Sequence, residues 1–287
     1  MGNCKSRKKT VNAIGINTYE NVKILNQGTF CNTFLVKKGD KLFVNKKYRK
    51  SGEYIILNDH SFFSIDIVNN EIEILTSLSH PCILKFYEYL ENKNTISIIT
   101  PYIHGESLQN CAPKIITENQ IRWIVYQLLS TLTYLTRKCI IHRDIKPHNI
   151  IIGDNNYLTL IDYNCSEFVH QPNEIEFGTY GYKAPEIHYN MKYSFNSDIF
   201  SMGCVIYYII YKKVPLSKNI YSIPLVEWPY ISFPKSLYSI NAINFVRNCV
   251  IYNREKRYTV RDCYIHRWMF DYIINLSEIN LLDNSDV

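Results

Sequence analysis

The N-terminal part of the chain alternates apolar and polar residues with the period of two that is typical of β-strands. Residues 19–36 alternate in this way around a central glycine, which predicts two strands joined by a tight turn. Residues 42–47 predict a third strand. Residues 71–78 have apolar side chains at helical spacing, and residues 84–90 and 95–100 predict two strands that complete a sheet.

Helical periodicity dominates the rest of the chain. Residues 118–137 form a long amphipathic pattern that predicts a helix. Its apolar positions are expected in the core: Trp123, Leu128, Leu132 and Leu135. Residues 157–161 predict a short apolar strand. Residues 199–211 form an apolar run of 13 residues, which is too short to span a bilayer and predicts a buried helix.

Composition limits the protein classes that remain. With 287 residues, 46% hydrophobic and 20% charged, the chain can bury a large core, and we expect two lobes that share one cleft. The net charge of +6 is spread along the sequence, so we expect no nucleic-acid partner. The nine cysteines include no Cys-x-x-Cys pair and indicate free thiols of an intracellular protein. The polar, basic first residues give no secretory signal.

The first residues suggest lipid attachment. Residues 1–6, Met-Gly-Asn-Cys-Lys-Ser, fit the signature for N-myristoylation of Gly2. One myristoyl chain gives only marginal membrane binding, so a second signal is needed. Palmitoylation of Cys4 could supply it, or the basic group Lys5, Arg7, Lys8 and Lys9. We expect anchoring at the cytoplasmic face of a membrane, the plasma membrane; the alternative is a disordered basic tail without lipid.

Residues 141–151, Ile-His-Arg-Asp-Ile-Lys-Pro-His-Asn-Ile-Ile, hold three polar groups at fixed offsets in a loop between apolar runs. Asp144 offers a carboxylate that can accept a hydroxyl proton. Lys146 offers an ammonium that can neutralise a phosphoryl group, and Asn149 offers an amide oxygen that can hold a divalent metal. These are the parts that phosphoryl transfer needs. The pattern resembles the catalytic loop of protein kinases.

This resemblance implies an α+β, bilobal protein kinase-like fold, with a small antiparallel β-sheet lobe that has one main helix and a larger, mostly helical lobe. It covers residues 19–271, with the small lobe at 19–101 and the large lobe at 102–271. Residues 1–18 and 272–287 would be tails. Around the helix before the catalytic loop, the sequence most resembles the calcium/calmodulin and calcium-dependent kinase group.

The resemblance places a nucleotide-binding loop in the first hairpin. In kinases this loop has three glycines that let backbone N–H groups approach the phosphates of ATP. Here, counting from Leu25, the three positions are Asn26, Gly28 and Cys31, and Thr33 stands where a valine usually covers the adenine. An ordinary hairpin is the alternative for this stretch.

The third strand resembles the kinase strand with the phosphate-binding lysine. Val44 and Lys46 share one face at period two, so we predict that Lys46 binds the α and β phosphates, with Lys47 as the alternative. The resemblance implies that Glu71, on the following helix, pairs with this lysine. It also places Thr100 at the inner pocket and Tyr102 in the hinge.

Two further kinase segments follow. Asp162-Tyr163-Asn164 stands where kinases have Asp-Phe-Gly, which makes Asp162 a ligand of Mg²⁺ together with Asn149. Tyr163 would replace Phe as an apolar wedge if its hydroxyl finds a partner, and Asn164 would adopt a left-handed backbone. Residues 105–108 look like the start of the first helix of the large lobe.

Residues 178–186 resemble the end of a kinase activation loop, and Thr179 together with Lys146 resembles serine/threonine kinases rather than tyrosine kinases. We hypothesise that Glu174 or Glu176 pairs with Arg143 and orders this loop without phosphorylation. The alternative is that both acids are solvated.

Two structural roles are implied by the same resemblance. Asp198 would cap the backbone of the catalytic loop, and Arg257 would form a buried ion pair with Glu186. The segment from His266 to Met269 resembles the closing helix of the fold.

The sequence therefore predicts a membrane-anchored serine/threonine protein kinase that uses ATP and Mg²⁺ and acts on protein Ser/Thr hydroxyls. In this prediction Asp144 orients the acceptor and takes its proton, and Lys146 stabilises charge on the moving phosphoryl group. A pseudokinase that acts as a membrane-anchored scaffold is the alternative, because Asn26, Cys31 and Asn164 depart from the family pattern. Kinase chemistry on a small molecule is a third possibility.

Overall fold

A computed structural model describes residues 19–28, 31–50, 54–57, 60–115, 117–172, 176–189, 191–216 and 231–283. The N-terminal tail with Gly2 and Cys4 lies outside the described residues, as does Glu174. The contacts divide the chain into two compact units. The first unit contains the described residues up to position 50 and residues 86–102, and the second contains residues 54–85 and the described residues from 103 onward. The predicted lobe boundary at residue 101 stays a prediction.

Within the described residues, strands outnumber helices in the first half of the chain, and helices dominate the second half. The strands are β1 (Glu20–Gln27), β2 (Cys31–Lys38), β3 (Lys41–Arg49), β4 (Tyr54–Leu57), β5 (His60–Phe63), β6 (Glu88–Glu91), β7 (Thr95–Pro101), β8 (Gly105–Ser107), β9 (Ile140–Ile141), β10 (Ile150–Gly153), β11 (Leu158–Leu160) and β12 (Glu167–Phe168). The α-helices are α1 (Ser64–Ser77), α2 (Leu108–Cys111), α3 (Glu118–Arg137), α4 (Phe195–Tyr211), α5 (Ile240–Cys249), α6 (Val260–Ile265) and α7 (Arg267–Asp283). Short 3₁₀ helices cover Ala112–Lys114, Pro147–Asn149 and Pro185–Tyr189.

The first unit is a five-stranded antiparallel sheet in the order β1-β2-β3-β7-β6. One face carries the core residues Val36, Phe43 and Ile99, which pack with the half-buried Tyr19, Phe34 and Leu90. Because side chains alternate along a strand, the neighbouring residues of β2, β3 and β7 lie on the opposite face. The predicted antiparallel sheet is confirmed, and the nucleotide-binding candidates of β2, β3 and β7 lie on the face opposite this core.

One predicted strand is shorter than its apolar pattern. The pattern predicts a strand over residues 84–90, whereas β6 begins at Glu88. The backbone N–H of Leu84 donates to the carbonyl of Leu160 at 3.0 Å, and Ile83 forms a bridge with the same residue. These residues pair with β11 in the second unit, so their apolar side chains reflect burial in that unit.

The predicted helix start at residues 105–108 is wrong. Gly105–Ser107 is strand β8, which pairs with β10, and the helix begins only at Leu108. At Gly105 a β-carbon would lie 2.2 Å from the carbonyl oxygen of Ile152, so only glycine fits beside that strand. Close approach to β10 therefore decides the local structure here.

The second unit is built on α3 and α4. Helix α3 has the predicted bounds because Thr117 and Gln120 form a capping box at its start. Along α3, Leu128, Leu132 and Leu135 are buried as predicted. Trp123 is only half-buried, and its ring nitrogen donates to the carbonyl of Asn156 at 2.9 Å, so it belongs to the surface of the core.

Helix α4 is the predicted buried helix, with Ile199, Phe200 and Met202 fully shielded. Helix α7 continues to Asp283, beyond the predicted domain boundary at residue 271. Within the described part of the chain, no helix combines the length and the apolar character needed to cross a membrane.

Candidate active site

The loop between β9 and the 3₁₀ turn Pro147–Asn149 holds the candidate catalytic residues, and Asp198 fixes its backbone. Asp198 is buried in the first turn of α4 and accepts the N–H groups of His142 at 2.8 Å and of Arg143 at 3.0 Å. Burial raises the pKa of Asp198 to about 7, and the two backbone N–H groups act in the opposite direction. Arg143 has a left-handed backbone, with φ of 68°. The predicted capping role of Asp198 is thus present.

His142 connects this loop to the strand before Asp162. The ring is fully buried, and burial lowers its pKa to about 4, so it is neutral at pH 7. Its Nδ1 accepts the backbone N–H of Asp144 at 3.3 Å, and its Nε2 lies 3.2 Å from the carbonyl of Ile161. One neutral tautomer, with the proton on Nε2, satisfies both contacts.

Three polar side chains donate hydrogen bonds to the carboxylate of Asp144. Lys146 Nζ donates to Oδ2 at 2.7 Å, and the amide nitrogen of Asn149 donates to the same oxygen at 3.0 Å. The Thr179 hydroxyl donates to Oδ1 at 2.7 Å and accepts from Lys146 at 2.9 Å. The structure therefore brings Asp144, Lys146 and Asn149 together as predicted. Sequence reasoning used Thr179 only as a subtype marker and missed its contact with the carboxylate.

Asp162 follows β11 and takes a left-handed backbone, with φ of 66°. The prediction gave that conformation to Asn164, which is wrong, since Asn164 is not among the positive-φ residues. Asp and Asn both tolerate this region better than most residues, so sequence could not decide between them. Asp162 is half-buried in the second unit, the same unit as Asp144 and Asn149.

Tyr163 is fully buried and packs edge-on against the His142 ring, with 4.8 Å between ring centroids. It fills the wedge position as expected. Its hydroxyl, however, has no hydrogen-bond partner among the described residues, so the expected partner is not found. Burial raises the pKa of this hydroxyl, which keeps it neutral.

Arg143 pairs with an acid other than the two that the sequence pattern suggested. Its guanidinium donates to Glu167 on β12 at 2.9 Å and also to the carbonyl of Cys165. Glu176 instead accepts from Lys183 at 2.7 Å and lies 3.1 Å from Nδ1 of His188. The Glu176 form of the hypothesis is therefore wrong, because β12 pairs with β9 and carries Glu167 to the arginine.

In the first unit, the predicted nucleotide-binding residues lie on one face of the sheet. Asn26 is opposite Thr33, which is opposite Lys46 on β3. Val44 is opposite Thr100 on β7. Directly opposed residues of antiparallel strands point to the same side, so these five side chains share a face.

The rest of this face is completed by the hairpin. Cys31 is half-buried and opposite Tyr48, which places its side chain on the same side as Thr33. Leu25 lies at a register shift between β1 and β2 and has no directly opposed residue. Gly28 donates its N–H to the carbonyl of Cys31 at 3.0 Å, and a β-carbon there would lie 3.1 Å from that oxygen. A side chain at position 28 would therefore press on this carbonyl group.

The two candidate lysines of β3 differ in environment. Lys46 is half-buried, and its ammonium lies 5.6 Å from the ring centre of Tyr48, whereas Lys47 is exposed. The structure favours Lys46. On α1, Glu71 is 2% exposed. The pairing of Lys46 with Glu71 stays a prediction, since they belong to different units.

Thr100 and Tyr102, the remaining candidates of the first unit, lie at the end of β7. Thr100 is buried in β7, and the N–H of Tyr102, just after this strand, donates to the carbonyl of Leu42 at 3.1 Å. In the second unit, Arg257 and Glu186 form the predicted buried ion pair through two hydrogen bonds of 2.7 and 2.8 Å. This bidentate geometry is the strong form of such a pair.

Comparisons with known proteins identify the family of this chain. The protein kinase domain family matches residues 19–269. The chain is 28% identical over 261 residues to a probable myosin light chain kinase of Dictyostelium discoideum, covering 88% of this chain and 53% of the relative. It is 29% identical over 270 residues to the serine/threonine-protein kinase cds1 of Schizosaccharomyces pombe, covering 88% and 58%. A calcium-dependent protein kinase 6 of Plasmodium berghei is 34% identical over 161 residues, which are 54% of this chain and 11% of that protein.

The chain thus spans little more than half the length of the first two of these relatives. The matched family covers nearly all the described residues, including both units and every candidate catalytic residue. The resemblance to serine/threonine kinases, calcium-dependent ones among them, is confirmed. The chain belongs to the protein kinase domain family.

Proposed function

We propose that this chain is a serine/threonine protein kinase that transfers the γ-phosphoryl group of Mg-ATP to Ser and Thr hydroxyls of proteins. The observation that carries the proposal is the cluster in which the Asp144 carboxylate meets Lys146, Asn149 and an alcohol, the Thr179 hydroxyl. Membership of the protein kinase domain family supports it, as do the serine/threonine kinases among the relatives.

Asp144 is the group proposed to take the proton of the acceptor. Its Oδ1 already accepts a hydrogen bond from the Thr179 hydroxyl at 2.7 Å, a distance within the range for proton transfer between oxygen atoms. Lys146 lies 2.7 Å from the same carboxylate and brings a positive charge that favours a phosphoryl group nearby. The contacts of His142 and Asp198 hold this arrangement, so little reorganisation is needed when an acceptor binds.

The residues present fit a magnesium-bound nucleotide. When bound, ATP supplies the phosphoryl group and Mg²⁺ offsets its negative charge. Asn149 and Asp162 provide oxygen atoms, the ligands that Mg²⁺ prefers. The amide nitrogen of Asn149 donates to Asp144, so the amide oxygen is the atom that would bind the ion. Lys46, with Thr33 and Val44 on the same sheet face, is proposed to bind the nucleotide.

The test compares the wild type with Asp144→Asn in a transfer assay with Mg-ATP and a generic basic protein. We expect the variant to lose at least about a hundredfold in rate, because it lacks the base. Asp154→Asn is the matched control: Asp154 is exposed in the turn between β10 and β11, and this variant should keep its rate within about twofold. Equal phosphate incorporation by wild type and Asp144→Asn would remove the enzyme proposal.

A pseudokinase scaffold is the second candidate. Cys31 favours it, since this side chain lies on the proposed nucleotide face at a position where kinases have glycine. In that case Mg-ATP could raise the unfolding temperature, but wild type and Asp144→Asn would show the same background transfer. Transfer above that background decides for the enzyme.

The membrane location is also a proposal. Gly2 and Cys4, with the basic residues between positions 5 and 9, are its support. In cells, Gly2→Ala should move the protein from the membrane fraction to the soluble fraction, because the second acylation and the basic group need the first anchor. Cys4→Ser should release less protein from the membrane fraction than Gly2→Ala does. Unchanged fractionation of Gly2→Ala would contradict the proposal.

A further inference from the structure

The activation segment, defined here as residues 162–177, offers few hydroxyls for a regulatory phosphate. Between Asp162 and Gly178 the sequence has only Tyr163 and Ser166. Both are fully buried, and the Ser166 hydroxyl donates to the carbonyl of His142 at 3.1 Å. An upstream kinase could not reach either hydroxyl in this fold. The segment must therefore be ordered by other contacts.

Those contacts meet at Arg143. Its guanidinium is fully buried and donates to Glu167 at 2.9 Å, while the Glu167 side chain is only 4% exposed. A buried guanidinium needs a buried counter-charge, since removing one partner leaves the other charge without compensation. Burial lowers the pKa of Arg143, and the Glu167 carboxylate acts in the opposite direction. The chain itself thus supplies the anion that this site requires.

The start of the activation segment is fixed by the same residues. Glu167 pairs with Ile141 in the β12–β9 ladder, directly before the catalytic loop. The preceding carbonyl, that of Ser166, accepts the side-chain amide of Asn70 on α1 at 2.7 Å. Glu167 is therefore anchored through its backbone as well as through its carboxylate.

Residues at the end of the segment also contact Arg143. The guanidinium lies 4.7 Å from the ring centre of Phe177 and 4.9 Å from that of Tyr193. The Tyr193 hydroxyl donates to the Phe177 carbonyl. Two residues after Phe177, the Thr179 hydroxyl contacts Asp144. Arg143 thus connects the first residues of the segment to the residue that touches the catalytic carboxylate.

We infer that Glu167 is a positioning residue: its carboxylate neutralises Arg143 and holds the activation segment in the arrangement needed for transfer, without phosphorylation of that segment. The inference rests on the proposed kinase function. In kinases that are switched by phosphorylation, a phosphate pairs with an arginine and orders the loop. Here an added phosphate beside Arg143 would meet the negative charge of Glu167, which opposes its binding.

The first experiment uses wild-type protein treated with a broad-specificity phosphatase until mass spectrometry shows no phosphate. We expect its transfer rate to stay within about twofold of the untreated protein. A large loss after treatment, with activity before it, would overturn the inference and leave the kinase function intact. No transfer above Asp144→Asn in either form would overturn the kinase function itself, and with it the inference.

The second experiment uses Glu167→Gln, which keeps the shape and removes the charge. We expect kcat to fall at least about tenfold with the KM for ATP within about threefold, because the acceptor side of the site is disturbed. Glu167→Asp, which restores the charge on a shorter side chain, should recover part of kcat. Glu255→Gln, at an exposed position, is the matched control and should leave both constants unchanged.

A readout that does not need activity accompanies these variants. Hydrogen exchange of the peptide that contains residues 164–172 should speed up in Glu167→Gln and return toward wild type in Glu167→Asp. Unchanged exchange together with unchanged kcat in Glu167→Gln would overturn the inference. If Glu167→Gln does not fold, a loss of activity in the phosphatase-treated wild type would still overturn the inference.

Discussion

At the scale of single residues, Tyr163 buries a hydroxyl that phenylalanine at the same position would not have. The side chain is fully buried, and the hydroxyl has no hydrogen-bond partner among the described residues. An unpaired buried hydroxyl costs about 1–3 kcal/mol of desolvation. Tyr163→Phe should therefore raise the free energy of unfolding by about 1 kcal/mol, as measured by urea denaturation. Tyr157→Phe, at a residue 51% exposed, is the control that should change nothing; a destabilised Tyr163→Phe would show that the hydroxyl has a partner.

Glu176 gives a pH dependence with a defined sign. The hydrogen bond from His188 lowers the pKa of Glu176 to about 2, burial opposes this, and Lys183 adds to the lowering. Because the folded pKa lies below the unfolded value of about 4.5, the ionised carboxylate stabilises the fold above that value. This stability is lost as the pH falls toward 2.

The measurement compares wild type and Glu176→Gln by denaturant unfolding at several pH values. The stability difference between the two proteins should shrink as the pH falls from 4.5 toward 2. Glu255→Gln, at an exposed position, is the matched control. A difference between wild type and Glu176→Gln that does not depend on pH would contradict the assignment.

Sequence predicted the residues whose roles depend on local spacing. Asp144, Lys146 and Asn149 come together because one short loop and one 3₁₀ turn hold all three. The partner of Arg143 could not be found this way. Glu167 and Glu176 are equally acidic in the sequence, and only the pairing of β12 with β9 brings the first to the arginine. Contacts set by tertiary pairing leave no mark in local spacing.

At the scale of elements, the packing of α4 against α5 depends on one glycine. A β-carbon at Gly203 would lie 2.7 Å from both the β-carbon of Cys249 and a methyl group of Val250. Overpacking of this kind typically costs about 1–3 kcal/mol, whereas Ala in a helix gains up to about 1 kcal/mol over Gly. Gly203→Ala should therefore lower the free energy of unfolding by about 1–2 kcal/mol.

The control for Gly203→Ala is a double variant. Val250→Ala removes the methyl group that the new β-carbon would meet, so Gly203→Ala with Val250→Ala should be less destabilised than the sum of the two single variants. Thermal or urea unfolding of all four proteins gives this coupling. Strict additivity would mean that the helices separate elsewhere.

Elements with strong end signals were predicted best. Helix α3 has the predicted bounds because its capping box stands in the sequence. The apolar pattern predicts strand β6 too long, because Leu84 pairs with β11 of the second unit. The sequence of β8 predicts the start of a helix, because three residues cannot indicate that Gly105 approaches β10 closely. The periodicity of apolar residues predicts that they are buried, but it does not predict which element packs against them.

At the scale of the whole molecule, basic residues are most closely spaced at the N-terminal end of the sequence. The chain has a net charge of +6, and residues 1–18 contain Lys5, Arg7, Lys8 and Lys9 with no acid, so the tail carries +4 and the remaining residues carry +2. A basic group of this size beside an acylated N-terminus attracts anionic lipids. The kinase family region, residues 19–269, holds 28 basic and 22 acidic residues, a net charge of +6 spread over the whole region. The four basic residues of the tail instead lie between positions 5 and 9, so we expect the tail to give the strongest local attraction to a membrane.

The charge of the tail can be tested apart from its lipid. Acylated protein and a variant with all four basic residues replaced by alanine are compared for binding to vesicles that contain phosphatidylserine. Each basic residue near an anionic surface contributes about 1 kcal/mol, so the four together should strengthen binding by up to about 4 kcal/mol, roughly a thousandfold at low salt. Neutral vesicles should bind both proteins alike, because only acyl insertion acts there. Equal binding to anionic vesicles would show that the acyl groups alone hold the protein and that the tail charge serves another purpose.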